Sequence, residues 1–133
     1  MDFFTALYEF MDHEELELRR IACRCLCDII QKLKKGAYAF NLITKAATNQ
    51  AKQNNKAPFD ELILSVSKFG EDPELCLASL EFINLILFRC PTKKKRSQFL
   101  ARLENLGLHD ELYKVGFECN LENPIDVKII NQL

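Results

Sequence analysis

The chain is poor in the residues that make tight turns. It has four glycines and four prolines in 133 residues, and β-branched alternation is absent. An all-β fold needs frequent turn residues between short alternating strands, so these shortages leave an all-α fold. Histidine is limited to His13 and His109, both read as surface residues. No glycine-rich phosphate loop, H-E-x-x-H or G-x-S-x-G occurs, so no enzyme class is suggested and no cofactor is expected. No apolar run reaches the ~20 residues that span a bilayer. The first ten residues carry Asp2 and Glu9 and no basic segment, so they do not read as a secretion signal. A formal net charge of −1 gives no global attraction to nucleic acid or to an anionic membrane.

What is present is a core. Hydrophobic residues make up 48% and charged residues 28%, enough apolar surface for one folded unit, taken as 1–133. Six cysteines raise a redox question. Cys23, Cys25 and Cys27 lie in one helical pattern rather than in a loop-rich scaffold, so reduced thiols in a cytoplasmic protein are expected. On a helix Cys23 and Cys27 share a face and Cys25 points away. No second ligand pair follows, so packing cysteines are preferred to a metal site.

Helical periodicity runs through the chain. Phe3, Leu7 and Phe10 share a face. Asp12 and Glu15 have capping-box spacing ahead of a helix reaching about Lys35, which Gly36 would end. Leu18, Ala22, Cys25, Ile29 and Leu33 form its stripe. A third helix is expected from Tyr38 to about Ala47, with the polar 48–57 stretch as an exposed loop. Pro58 would open a helix carrying Phe59, Leu62, Ile63, Val66 and Phe69, closed by Gly70. Asp72-Pro73-Glu74 is a strong helix start. The helix from Pro73 to about Arg89 is apolar nearly all round, which marks an element buried on most sides. Beyond Pro91, Phe99, Leu103 and Leu106 form a stripe from about Arg96. Gly107 suits a left-handed cap, 110–117 a short helix, and Asn123-Pro124 another helix start.

The unit recurs. Phe3…Leu7…Phe10, Phe59…Ile63…Val66 and Phe99…Leu103…Leu106 occupy like places, each followed by a further helix. Residues 18–30 overlay 74–86 without a gap, which puts Asp28 on Asn84. Repeats of two or three helices describe an armadillo/HEAT-like α-solenoid, here of about three repeats and truncated at both ends, as in a piece of a longer array.

Two polar features stand out. Asn84 is an amide among Phe82, Ile83, Leu85 and Ile86. Buried without partners it would cost ~1–3 kcal/mol, so it either bonds a neighbouring backbone or lies on an open face. Glu74, Glu81 and Asn84 share a sector, the one polar stripe of that helix. Lys93, Lys94, Lys95 and Arg96 form the densest charge. They are either a solvated loop or a basic contact for an acidic partner, a phosphate or lipid, or an import receptor.

The stretch "SLEFINLILFRCPTKKKRSQFLARLENLGLHDEL" resembles the armadillo-repeat regulatory region of diaphanous-related formins, the formin homology three or diaphanous inhibitory region. The matching residues are Leu80, Ile83, Asn84, Phe99, Leu103, Leu106, Gly107, Leu108 and Leu112. "FMDHEELELRRIACRCLCDII" is similar to the preceding repeat. The resemblance implies a binding module rather than an enzyme, cytoplasmic and associated with the actin cytoskeleton. Its partners would be the formin's own C-terminal amphipathic autoregulatory helix and a Rho-family GTPase that displaces it. Carried over by position, Asp28, Gln31, Glu81 and Asn84 would line the peptide groove. At the place of Asp28 the family tends to have a small apolar residue. A carboxylate there implies an altered, more basic peptide or a lost autoinhibitory contact. The alternative is another armadillo-type adaptor, of the engulfment or transport kind, gripping a partner at the basic run.

Overall fold

The structure is a computed structural model that describes residues 3–133. Among the described residues it is all helical: α1 (Phe3–Glu9), a 3₁₀ turn (Phe10–Asp12), α2 (Leu16–Lys32), α3 (Gly36–Asn54), α4 (Asp60–Val66), α5 (Pro73–Arg89), α6 (Lys93–Asn105), α7 (Leu108–Glu118) and α8 (Pro124–Gln132). No helix among them is long and apolar enough to cross a membrane.

The helices stack as a solenoid. α5 packs against α2 on one side and α8 on the other, with α3 and α4 behind it. That placement explains its composition. Leu75, Cys76, Ala78, Leu80, Phe82, Ile83 and Ile86 are all buried, because neighbours cover the helix on nearly every side. The gapless overlay holds in burial. Ala22, Cys23, Leu26, Cys27 and Ile30 are buried on α2, and the positions they fall on, Ala78, Ser79, Phe82, Ile83 and Ile86, are buried on α5.

Local chemistry fixes several boundaries. The Asp72 carboxylate accepts the Leu75 amide at 3.0 Å, with Pro73 in the first turn of α5. Asn123 caps α8 through the Ile125 amide at 3.0 Å. Gly107 takes φ 98° between α6 and α7, a conformation that suits glycine.

The structure departs from the sequence reading in several places, and within α2 the buried stripe is Ala22, Cys23, Leu26, Cys27 and Ile30, with the expected Cys25 exposed. Asp12 and Glu15 form no capping box: Asp12 instead accepts from Asn54 at 3.1 Å and Lys56 at 3.2 Å, and Glu15 makes no side-chain cap bond. α2 stops at Lys32, and Gly36 opens α3 rather than closing α2. A Cβ on Gly36 would lie 3.3 Å from the Arg89 carbonyl oxygen, a tight contact, so the close approach of α5 favours a bare backbone there. The polar 48–57 stretch is helical through Asn54, because Gln50 and Ala51 turn into the packed face of α3. Pro58 lies in a turn, and α4 starts only at Asp60. The basic run is not a linker: Lys93 to Arg96 are the first turn of α6, capped by the Thr92 hydroxyl accepting the Lys95 amide at 3.1 Å. The repeat boundary shifts accordingly. It is α7 that packs beside α4, so the third repeat is α6, α7 and α8.

Candidate functional site

The stacked helices α2, α5 and α8 leave one face open. On α2, Ile21, Arg24, Asp28 and Gln31 are exposed at helical spacing. On the same side of α5, Glu74, Asn84 and Phe88 are exposed and Glu81 is half-buried, with Asn84 at the position that overlays Asp28. Ile21 is 49% exposed and Phe88 75%, so the stripe is polar with an apolar side chain on each helix.

Three levels of polar contact hold α2 and α5 side by side. Near their starts, the Arg20 guanidinium reaches Asp72 at 3.3 Å and Glu74 at 3.6 Å. In the middle, Arg24 pairs with Glu81 at 3.4 Å. At their ends, Arg89 donates to the Leu33 carbonyl at 2.7 Å and the Gln31 carbonyl at 3.1 Å. Those carbonyls belong to the unsatisfied end of α2, where a cation also suits the helix dipole. The Arg24–Glu81 pair is exposed and contributes at most about 1 kcal/mol. Its main effect is to hold Glu81 within the rim of the face.

Each sequence-predicted groove residue is therefore located. Asp28 is exposed at the centre of the α2 stripe, with no cation within ion-pair distance among the described residues. Gln31 exposes its side chain while its carbonyl receives Arg89. Asn84 meets both expectations held for it. It lies on the open face, and its amide donates to the Gln132 carbonyl at 2.8 Å and side-chain oxygen at 3.0 Å. The amide thus joins α5 to α8. Sequence reasoning missed Ile21, Arg24 and Phe88. Phe88 is concealed inside an apolar run, and only the helical offset of four from Asn84 gives it away.

The thiols are free. Cys23 and Cys27 share the buried face of α2 and Cys25 is exposed. The hydrogen bond to Cys27 and burial push the Cys23 thiol well up, and burial pushes Cys76 up to about 12. Both stay protonated, poor as nucleophiles or metal ligands at neutral pH. Lys93, Lys94, Lys95 and Arg96 stand exposed on α6.

No curated protein matches the chain. The family model of the FHOD1/3 FH3 domain matches residues 3–111, which takes in α1 to α6 and the first turn of α7. With stacked helical repeats and that match over most of its length, the chain belongs to the FHOD1/3 FH3 domain family and is a regulatory module of a formin.

Proposed function

We propose that the face of α2, α5 and α8 grips the amphipathic autoregulatory helix of a formin's own C-terminus, and that a GTP-loaded Rho-family GTPase displaces it. The observation that carries this is the stripe itself: Ile21 and Phe88 offer apolar contact between exposed polar side chains, at the length of one helix. α5 has 17 residues, or about 25 Å, room for a bound helix of similar length. The work is binding rather than catalysis, and no cofactor or metal enters it. Two ligands that exclude one another make the switch, each lowering the apparent affinity of the other. The setting would be cytoplasmic, beside the actin cytoskeleton.

Asp28 tunes the ligand. Covering an unpaired carboxylate with leucines leaves it desolvated, so the bound helix should carry a lysine or arginine opposite it. The test is titration of the chain with a labelled C-terminal formin helix, then with GTP-loaded Rho as competitor. Binding that Rho reverses is the expected result. An Asp28→Ala variant should weaken a helix with a basic residue at that place and strengthen one with leucine. No binding of either partner at high concentration would overturn the proposal.

A further inference from the structure

A second recessed surface lies elsewhere, between α3 and α6. A hollow of about 490 Å³ opens there. Its floor holds the rings of Phe40, Phe59 and Phe99, with Phe59 and Phe99 packed edge to face at 5.0 Å. Lys95 and Arg102 stand at its rim with Gln98. A neighbouring hollow of about 430 Å³ shares Gln98 and Arg102 and continues past Ala101 to Leu106. The two hollows adjoin along α6 at these shared side chains, and we read them as one trough. From Lys95 to Leu106 the helix rises roughly 16 Å, the length of about five residues of extended chain. No residue of α2, α5 or α8 lines it.

Its charge is unanswered. Among the described residues, neither Lys95, Arg102 nor the adjoining Lys93, Lys94 and Arg96 has a carboxylate within ion-pair distance. The Lys95 ammonium rests instead 5.9 Å from the centre of the Phe40 ring. Four cations also occupy the first turn of α6, the positive end of its dipole, where they repel one another and the helix. An anionic ligand at Lys95 and Arg102 answers the charge of the trough itself. The trough is built with strain as well. Phe59 has φ 72°, a left-handed conformation that costs a bulky residue of order 1–3 kcal/mol and that delivers its ring to the floor.

We propose that this trough is a second docking site, for an acidic peptide segment that inserts one aromatic or large aliphatic side chain over Phe40, Phe59 and Phe99 and sets its carboxylates against Lys95 and Arg102. The elongated shape and apolar floor select a peptide over a lone anion or a flat lipid surface. The site is independent of the autoregulatory groove, so the full chain could hold both ligands together.

The experiment is fluorescence anisotropy of the whole chain with a labelled Glu-Glu-Phe-Glu-Glu probe. Saturable binding that weakens with salt is expected, together with a clear loss of affinity when the probe's Phe is replaced by Ser. The double variant Lys95→Glu/Arg102→Glu should weaken binding by about tenfold or more. Lys93→Glu/Lys94→Glu, the same change of charge outside the trough, should have a much smaller effect. Gln98→Trp, which fills the trough and leaves the charge alone, should also block the probe. All these positions are exposed, and circular dichroism checks that each variant folds. Absence of binding, equal losses in the two charge variants, indifference to the Phe, or binding to phosphatidylserine vesicles that the probe does not compete would each overturn the assignment.

Discussion

Glu61 is one of two buried carboxylates among the described residues, the other being Asp126. It is 3% exposed on α4, and the buried Tyr8 hydroxyl of α1 donates to it. Burial pushes its carboxyl up, against a smaller opposing effect of the Tyr8 hydrogen bond. The Tyr8 hydroxyl is itself held well above its usual range by burial and by Glu61. The sign for stability follows. A carboxyl whose native pKa lies above its unfolded value stabilises the fold fully below about pH 4.3, and that contribution fades as pH rises through the native value. Glu61→Gln cannot ionise and keeps an acceptor for Tyr8. Its stability relative to the natural chain should therefore grow with pH over that window, by up to about 1.4 kcal/mol per pH unit. Urea midpoints from about pH 4 to about pH 8 measure this; parallel curves for the two chains would refute it.

Arg89 is the element-scale counterpart, a side chain of α5 that finishes α2. Replacing it with Met keeps much of the apolar stem and removes the two bonds to Leu33 and Gln31. The last turn of α2 then has unpaired carbonyls, and the loss should be about 1–3 kcal/mol, read from urea unfolding. A loss below about 0.5 kcal/mol would show that water serves those carbonyls equally well. This contact also explains what the sequence could and could not show. Helix starts with a local cause were legible: Asp72-Pro73 and Asn123-Pro124 each cap through an amide two or three residues on. The end of α2 was misplaced because its cap comes from Arg89, more than fifty residues away. The start of α6 was misplaced because Thr92 overrides the dipole's objection to four cations. The polar end of α3 looked like a loop because Gln50 is buried against expectation. Asp28 and Asn84 do fall at equivalent exposed positions, since their register follows from the overlay of α2 on α5. Phe88 was not legible, because an exposed apolar side chain has no signature within an apolar run.

At the scale of the molecule the fold is a stack, and its stability should be graded along the stack. α5 lies between α2 and α8 with α3 and α4 behind it, whereas α8 packs against α5 and buries only Asp126 and Ile129. Amides of α5 should exchange hydrogen most slowly and those of α8 and α7 markedly faster, with α2 in between. Hydrogen-exchange mass spectrometry over the helical segments checks the order; uniform protection would mean that the chain opens only as one unit.

The bond from Asn84 to Gln132 ties this gradient to the open face. One amide serves as the bolt between two repeats and as a contact point for whatever lies along the stripe. It has two hydrogens, and both are committed to the end of α8. A ligand that takes them must unfasten α8 from α5. A ligand that leaves them in place must fit a surface whose width the bolt has already set. Any ligand on the stripe therefore meets the α5–α8 spacing directly, and through Ile129 that spacing reaches the core.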